Sequence, residues 1–351
     1  MTTKKHILFI VNPISGTSRK QSVGESIGKA VDGTRFDYSI VATRYGGHAY
    51  EIAREAVRSG LDAVVAGGGG GGGDGGGAGV AVGGDGTVNE VGRAVAGSAT
   101  ALGVIPCGSG NGLARHLMLP MDVRKAVEVV NAFTVHELDY GVINSMPFFC
   151  TCGMGFDAFI SMKFAEAGRR GPITYLENIL REGLKYKPET YEIEDGGGTF
   201  LNKAFLISCA NASQYGNNAY IAPQASMSDG LLDVVVMEPF GVMEAPQLSI
   251  DMFNKTLDKN PNIKTFKTER IHVRREKAGF VHVDGDPVMT GADVDIAVVN
   301  KGIRIIVNPY AEKARRRPSA MQTAFSVFFN DIINARAEWP RRGDRPGLHE
   351  K

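Results

Sequence analysis

The first 133 residues alternate short apolar runs with stretches whose apolar residues recur at helical spacing. Ile7 to Val11, Phe36 to Val41 and Ala63 to Ala66 read as strands, and the segments around Val23 to Ala30 and His48 to Arg58 as helices. Strands alternating with helices imply a parallel sheet covered on both faces, and such sheets bind ligands at the carboxyl ends of their strands. Asn12, Thr43, Gly83 to Thr87 and Gly108 to Asn111 fall at those ends. From about Val135 the pattern changes. Strand-like runs at His136 to Val142, Phe148 to Cys152, Thr190 to Ile193, Lys203 to Ala210, Leu232 to Met237, Arg270 to Arg274, Gly279 to Val283, Asp293 to Val299 and Gly302 to Val307 are separated by turn residues, with one helical stretch near Phe156 to Tyr186. Many short strands of this kind predict an antiparallel sandwich. The expected fold is α/β plus all-β. A doubly wound parallel-sheet domain takes residues 1–133 and a β-sandwich takes 134–310. A C-terminal amphipathic helix and basic tail take 311–351.

The chemistry concentrates where a strand meets glycine. The run Val80 to Val82 stops at Gly83-Gly84, and a helical pattern of Val88, Val91, Ala94 and Val95 starts just after Thr87. Strand, tight turn and helix aim backbone N–H groups and the positive end of a helix dipole at one spot, and glycine lets an anion approach without a Cβ in the way. The expected guest is a phosphate. Ile105 to Ala114, with Gly108-Ser109-Gly110-Asn111-Gly112, repeats the arrangement. Two such turns at neighbouring strand ends bracket one polyphosphate, although glycine turns also close many strand-to-helix units that bind nothing.

Between Ala66 and Val80 the chain departs from any packing pattern. Gly67 to Gly79 is glycine throughout except for Asp74 and Ala78. Such a tract packs no core, and its backbone entropy opposes order. It reads as a disordered excursion, or alternatively as a second phosphate loop built on Gly-Gly-Gly-Asp-Gly.

Composition narrows the class. A formal charge of +1 over 351 residues, with basic residues clustering only in the tail, gives no drive toward nucleic acid. The four cysteines, Cys107, Cys150, Cys152 and Cys209, form no Cys-x-x-Cys pair and are expected to be reduced core thiols of a cytoplasmic protein. No stretch approaches the roughly 20 apolar residues of a membrane span.

The strand Ile7 to Val11 ending in Asn12-Pro13-Ile14-Ser15-Gly16, with Gly83-Gly84-Asp85-Gly86-Thr87 and Gly108-Ser109-Gly110-Asn111, resembles the lipid kinase family of bacterial diacylglycerol kinases, sphingosine kinases and ceramide kinases. The resemblance runs from about His6 to Tyr310, and it implies an active site in the cleft between the first two domains. It implies an ATP-dependent transferase of lipid metabolism and phospholipid biosynthesis that moves the γ-phosphoryl group to a hydroxyl of a diacylglycerol-like or sphingoid lipid. By the match, Asn12, Gly16, Thr43, Gly83, Gly84, Asp85, Gly86, Thr87, Asn89 and Ser109 contact ATP, and Asp85 orders the catalytic Mg²⁺. The stretch Met227 to Asp233 matches one that holds a structural Mg²⁺, with a carboxylate from Asp229 and backbone oxygens from Ser226 and Leu231. Read alone, its Asp-Gly is simply a turn. Arg169 stands near the spacing at which related kinases place an arginine on the phosphates, and Asp157 near a lipid head group. A solvated helix face explains both equally well.

Val283-Asp284-Gly285-Asp286-Pro287 is the second carrier of chemistry. Carboxylates flanking a glycine both face one cleft when the backbone bends there, giving one group for proton removal and another for metal or orientation. The family writes Asp-Gly-Glu here, with the glutamate as general base on the lipid hydroxyl. Asp286 is one methylene shorter, so it acts directly, acts through a water, or leaves the role to Asp284. A strand-end turn with solvated aspartates is the plain alternative. An NAD kinase shares the glycine turn, and a nucleotide-dependent lipid-binding module without turnover shares the whole architecture.

Residues 319–335 place Met321, Ala324, Phe325, Phe328, Phe329, Ile332 and Ile333 on one helical face, with arginines before and after. That face suits peripheral contact with an anionic membrane, packing on the protein itself, or a homodimer.

Overall fold

The computed structural model describes residues 4–13, 22–68, 85–108, 110–159, 183, 186–241 and 243–311. The tail from 312 onward, Arg169, and Gly16, Gly83, Gly84 and Ser109 lie outside the described residues, as does all of the glycine tract beyond Gly68.

The first half alternates as its periodicity predicts: β1 (Lys5–Asn12), α1 (Ser22–Ala30), β2 (Phe36–Ala42), α2 (His48–Arg58), β3 (Ala63–Gly68), α3 (Asp85–Val95), β4 (Ala101–Pro106), α4 (Gly112–His116) and α5 (Val123–Ala132). The parallel strands stand in the order β2, β1, β3, β4. Their register sets Asn12 beside Gly68 and Gly68 beside Pro106, so three strands end level with one another. Thr43 follows β2 on the same side, its N–H donating to the Val11 carbonyl at 2.9 Å. Helix α2 rests on the sheet through Ala49, Ala53 and Ala56, and α5 is capped by Asp122, which accepts from the Lys125 N–H.

The second half runs β5 (Val135–Ile143), β6 (Met146–Phe148), β7 (Thr151–Gly155), β8 (Glu189–Asp195), β9 (Gly198–Ala204), β10 (Leu206–Ala210), β11 (Gln214–Gly216), β12 (Ala219–Tyr220), β13 (Leu232–Met237), α6 (Ala245–Asn254), β14 (Ile263–Thr268), β15 (Arg270–Arg275), β16 (Gly279–Val283), β17 (Asp286–Thr290) and β18 (Asp293–Ile306). Antiparallel β14, β13, β10, β7, β16 and β17 form one layer of the sandwich. The other, containing β18, β15, β8 and β9, continues the parallel sheet, because β18 lies beside β4 with Ile305 opposite Leu102. Cys152, Ile207, Val234 and Val281 of one layer meet Ile193, Ile271, Val273 and Ile296 of the other in a common core.

Several elements differ from the periodicity reading for local reasons. Helix α3 begins at Asp85 rather than after Thr87, so Asp85, Gly86 and Thr87 form its first turn. The run Phe148 to Cys152 breaks into β6 and β7, because the N–H groups of Phe149 and Cys150 turn toward Asp284. The run Lys203 to Ala210 breaks at Phe205, where the chain passes from one layer to the other. The two runs from Asp293 to Val307 are one strand whose register shifts between Val299 and Ile303. That shift lets β18 serve both cores, with Val294 and Ile296 in the sandwich and Ile303, Ile305 and Ile306 under the parallel sheet.

Candidate functional site

Helix α3 builds the site. Its first residue, Asp85, accepts through Oδ1 from the Gly112 N–H at 2.8 Å, tying the first glycine turn to the second. One turn later Asn89 donates its amide to Asp284 Oδ2 at 2.8 Å and to the Pro147 carbonyl. A single helix thus joins the carboxyl ends of the parallel strands to the Asp-Gly-Asp turn of the sandwich.

Asp284 is an anchor. Besides Asn89, the N–H groups of Phe149, Cys150 and Thr151 donate to its carboxylate at 2.9, 2.7 and 3.1 Å, and its backbone is left-handed at φ 50°. Burial pushes its pKa up despite those donors. With its oxygens so engaged, Asp284 is not a free base, and Asn89 is committed to holding it. Asp286, which opens β17, is exposed as a residue, but neighbouring protein atoms crowd and partly desolvate its carboxylate. That surrounding, with Asp284 and Glu90 nearby, pushes it up to about 6, while Arg93 pulls the other way. Asp85 is also pushed up to about 6, by burial first and by Asp284 second, against the pull of N–H groups from Asn111, Gly112 and Leu113. The site gathers negative charge that a cation would relieve.

Sequence reading missed several participants whose partners are remote in the chain. Glu90 accepts from the Gly47 and Ala49 N–H groups at 3.0 and 3.1 Å and so fixes the start of α2. Arg115 donates Nε–H to the Gly110 carbonyl at 2.9 Å, beside Asp85. Its position one helical turn past the glycine loop was the one available signal. His282, buried under the Asp-Gly-Asp turn, contacts Asp157 at 2.7 Å; burial lowers its pKa, but Asp157 outweighs that and holds it above the ordinary value.

Asp229, Ser226 and Leu231 stand away from this centre. The Lys267 ammonium sits 2.7 Å from Asp229 Oδ2 and 3.2 Å from Asp233 Oδ2, and Asp233 faces Lys267 across the β13–β14 ladder. Buried Asp139 fixes the turn by accepting from the Gly230 and Lys301 N–H groups at 2.8 and 2.7 Å. An ammonium on Asp229 competes with any dication there, so these residues do not fit a resident Mg²⁺ while Lys267 stays in place. In Lys267→Met the two carboxylates lose their partner, and added Mg²⁺ should raise the melting temperature more than in the wild type, by an amount reflecting about 1 kcal/mol for these partly exposed groups. Equal shifts in both proteins would mean that Lys267 does not occupy a cation position.

A parallel-sheet domain whose strand-end glycine turns are tied to a carboxylate turn of a β-sandwich defines a class of two-domain phosphotransferase. Residues 6–76 and 74–143 match the family described as the diacylglycerol kinase catalytic domain, and residues 150–307 match the YegS C-terminal NAD kinase beta sandwich-like domain. The chain belongs to the diacylglycerol kinase family of lipid kinases. It is 25% identical to a diacylglycerol kinase of Bacillus subtilis over 80% of this chain and 90% of that one. It is 28% identical to an uncharacterized protein of Synechocystis, over 64% of this chain and only 54% of the relative. A diacylglycerol kinase crystal structure from Bacillus anthracis superposes with a TM-score of 0.67 at 21% identity, covering 89% of this chain and all of that one, which establishes the fold.

The two pieces of the catalytic-domain match meet inside the glycine tract, at residues 74–76. Gly67 and Gly68 complete β3, opposite Val11 and Asn12. Deleting Gly67 to Ala81 lets Val82 and Gly83 take those register positions. The deletion should keep nucleotide binding and raise stability, since a shorter connection loses less entropy on closure. A folded deletion variant that no longer binds ATP would make the tract a working phosphate loop.

Proposed function

We propose that the protein transfers the γ-phosphoryl group of ATP to a hydroxyl of a diacylglycerol-like or sphingoid lipid. The observation that carries this is the span of α3, which ties Asp85 at the strand ends to the Asp284-Gly285-Asp286 turn through Asn89. Gly83 to Thr87 and Ser109 cradle the phosphates through backbone N–H groups, with Asn12, Gly16 and Thr43 nearer the nucleoside. Asp85 holds a catalytic Mg²⁺, directly or through waters. The space beside its Oδ2 supports this, because a Cβ on Gly110 would stand 2.8 Å from that oxygen. When bound, the ion neutralises charge on the transferring phosphoryl group.

Asp286 is the base. Its carboxylate takes the lipid hydroxyl proton as the O–Pγ bond forms and the bond from Pγ to the bridging oxygen breaks, releasing ADP. Asp284, held by four N–H donors, keeps the turn in position. Little covalent help is needed, since positioning and charge supply most of the rate. Mg²⁺-dependent ADP release that rises when lipid vesicles are added supports this reading, whereas acceleration by NAD alone supports the NAD kinase alternative.

The protein works in the cytoplasm at the membrane face. Among the described residues no helix is long and apolar enough to cross a membrane, and the arginine-flanked apolar face of 319–335 supplies the contact. The full chain should co-sediment with anionic vesicles and a chain ending at Tyr310 should not. Equal sedimentation would leave the face to packing or to a second subunit.

A further inference from the structure

Under the Asp-Gly-Asp turn lies a line of polar groups that the proposed transfer step does not use. The Gly285 N–H donates to His282 Nδ1 at 3.3 Å, so the neutral imidazole carries its proton on Nε2. That nitrogen donates to Asp157 Oδ2 at 2.7 Å, and the Tyr215 hydroxyl donates to the same oxygen at 2.8 Å. His282 is 1% exposed. Gly153 makes room for the pair: a Cβ there would stand 2.9 Å from His282 Nε2 and 3.0 Å from Asp157 Oδ2.

The other end of the line reaches the second glycine turn. Tyr215 belongs to β11, whose hairpin with β12 is pinned to that turn by the Asn217 N–H donating to the Gly110 carbonyl at 3.0 Å. A Cβ on Gly112 would stand 3.1 Å from the Tyr215 carbonyl, and the Gly112 N–H is the group bonded to Asp85. One continuous path therefore runs from Asp85 through Gly112, the hairpin, Tyr215, Asp157 and His282 to Gly285, the residue before Asp286.

We propose that Tyr215, Asp157 and His282 form a positioning relay that fixes the distance between the phosphate-bearing glycine turn and Asp286. None of the three touches the reacting atoms. The relay spends Asp157 Oδ2 on its two donors, and the terminal link is the Nδ1 acceptor beneath Gly285. It rests on the kinase reading above, because a fixed distance between the turns matters only if a group passes from one to the other.

The amide of asparagine overlies His Nδ1 and that of glutamine overlies Nε2, so the two substitutions separate the links. His282→Asn keeps an acceptor for Gly285 but loses the donor to Asp157, so it cuts the path one link earlier, and kcat should fall about as in Tyr215→Phe and less than in His282→Gln. His282→Gln keeps the donor to Asp157 but loses that acceptor, and kcat should fall by tenfold or more with the KM for ATP unchanged, on the order of the loss caused by small misplacements of reacting groups. Tyr215→Phe removes one hydroxyl without changing the packing and should also lower kcat alone. Its effect should largely vanish in the His282→Gln background, as members of one path are non-additive. Equal loss of kcat in the Asn and Gln variants with parallel falls in melting temperature, or full additivity with Tyr215→Phe, would overturn the relay and leave these residues as packing. If the histidine variants do not fold, an unchanged kcat in Tyr215→Phe alone overturns it. Wild-type protein that releases no ADP with any lipid would instead count against the kinase reading.

Discussion

Asp85→Asn should retain the fold and lose turnover by a factor of a hundred or more. The carboxylate occupies the first position of α3 and accepts the Gly112 N–H, a bond that the asparagine amide oxygen can also accept. The structural tie between the two glycine turns therefore survives, and what is removed is the negative charge. Losing one charge-stabilising contact at a phosphoryl-transfer centre costs on the order of 3 kcal/mol in the barrier. Stability should not suffer at neutral pH. Burial and Asp284 raise the folded pKa of Asp85 to about 6, above its unfolded value of about 3.9. The stabilising effect of that shift is present below the unfolded pKa and is lost as pH rises through about 6. At pH 7 the ionised group opposes folding, and asparagine relieves it. Single-turnover kinetics and a melting curve on the same preparation check both halves. Wild-type rates in the variant would move the reaction centre elsewhere.

Asp286→Ala should abolish transfer, and Asp286→Glu should keep it, because the longer side chain reaches at least as far toward the acceptor hydroxyl. A base must be ionised to act, and Asp286 is held at about 6. The wild-type rate should fall about tenfold per pH unit below that value and level off above it. In Asp286→Glu the fall should persist, displaced by any difference in the glutamate's surroundings. Neither substitution should lower the melting temperature at neutral pH, since an exposed carboxylate with a raised pKa contributes no stability there. Asp284→Ala should behave differently. It leaves the N–H groups of Phe149, Cys150 and Thr151 and the Asn89 amide without their acceptor, so it should lower stability along with activity. If Asp284→Ala lost only activity while Asp286→Ala were silent, the base would be Asp284.

The fold was legible wherever local periodicity carried it. Helix α2 and strands β13 and β16 have the limits that their apolar patterns predict. What local pattern cannot carry is the junction of the halves. Nothing near Ile303 to Ile306 says that these residues pack under the parallel sheet 200 residues earlier. Nothing near Phe149 says that a strand must break to serve a carboxylate at Asp284.

The same division governs the site. Asp85, Asp284 and Asp286 stand out in the sequence because glycine flanks them and glycine turns are visible there. Asn89 stands out as a nucleotide contact by the resemblance alone. Its amide donates to a residue 195 positions away, a partner that only folding supplies. Glu90 and His282 gave no signal, since a buried glutamate at a distant helix start and a histidine inside a strand look like ordinary core-edge residues until their partners are known. The Asp229 turn gave a signal that a neighbouring strand modifies, because Lys267 arrives on β14 to occupy its carboxylate.

The most direct measurement incubates the full chain with γ-labelled ATP, Mg²⁺, NAD and a panel of diacylglycerol, monoacylglycerol, sphingosine and ceramide, then extracts into organic solvent. Label should appear in the organic phase with one or more of these lipids and disappear with Asp286→Ala. Label recovered only as inorganic phosphate or on NAD, with none in any lipid, would contradict lipid phosphorylation as the activity of this protein.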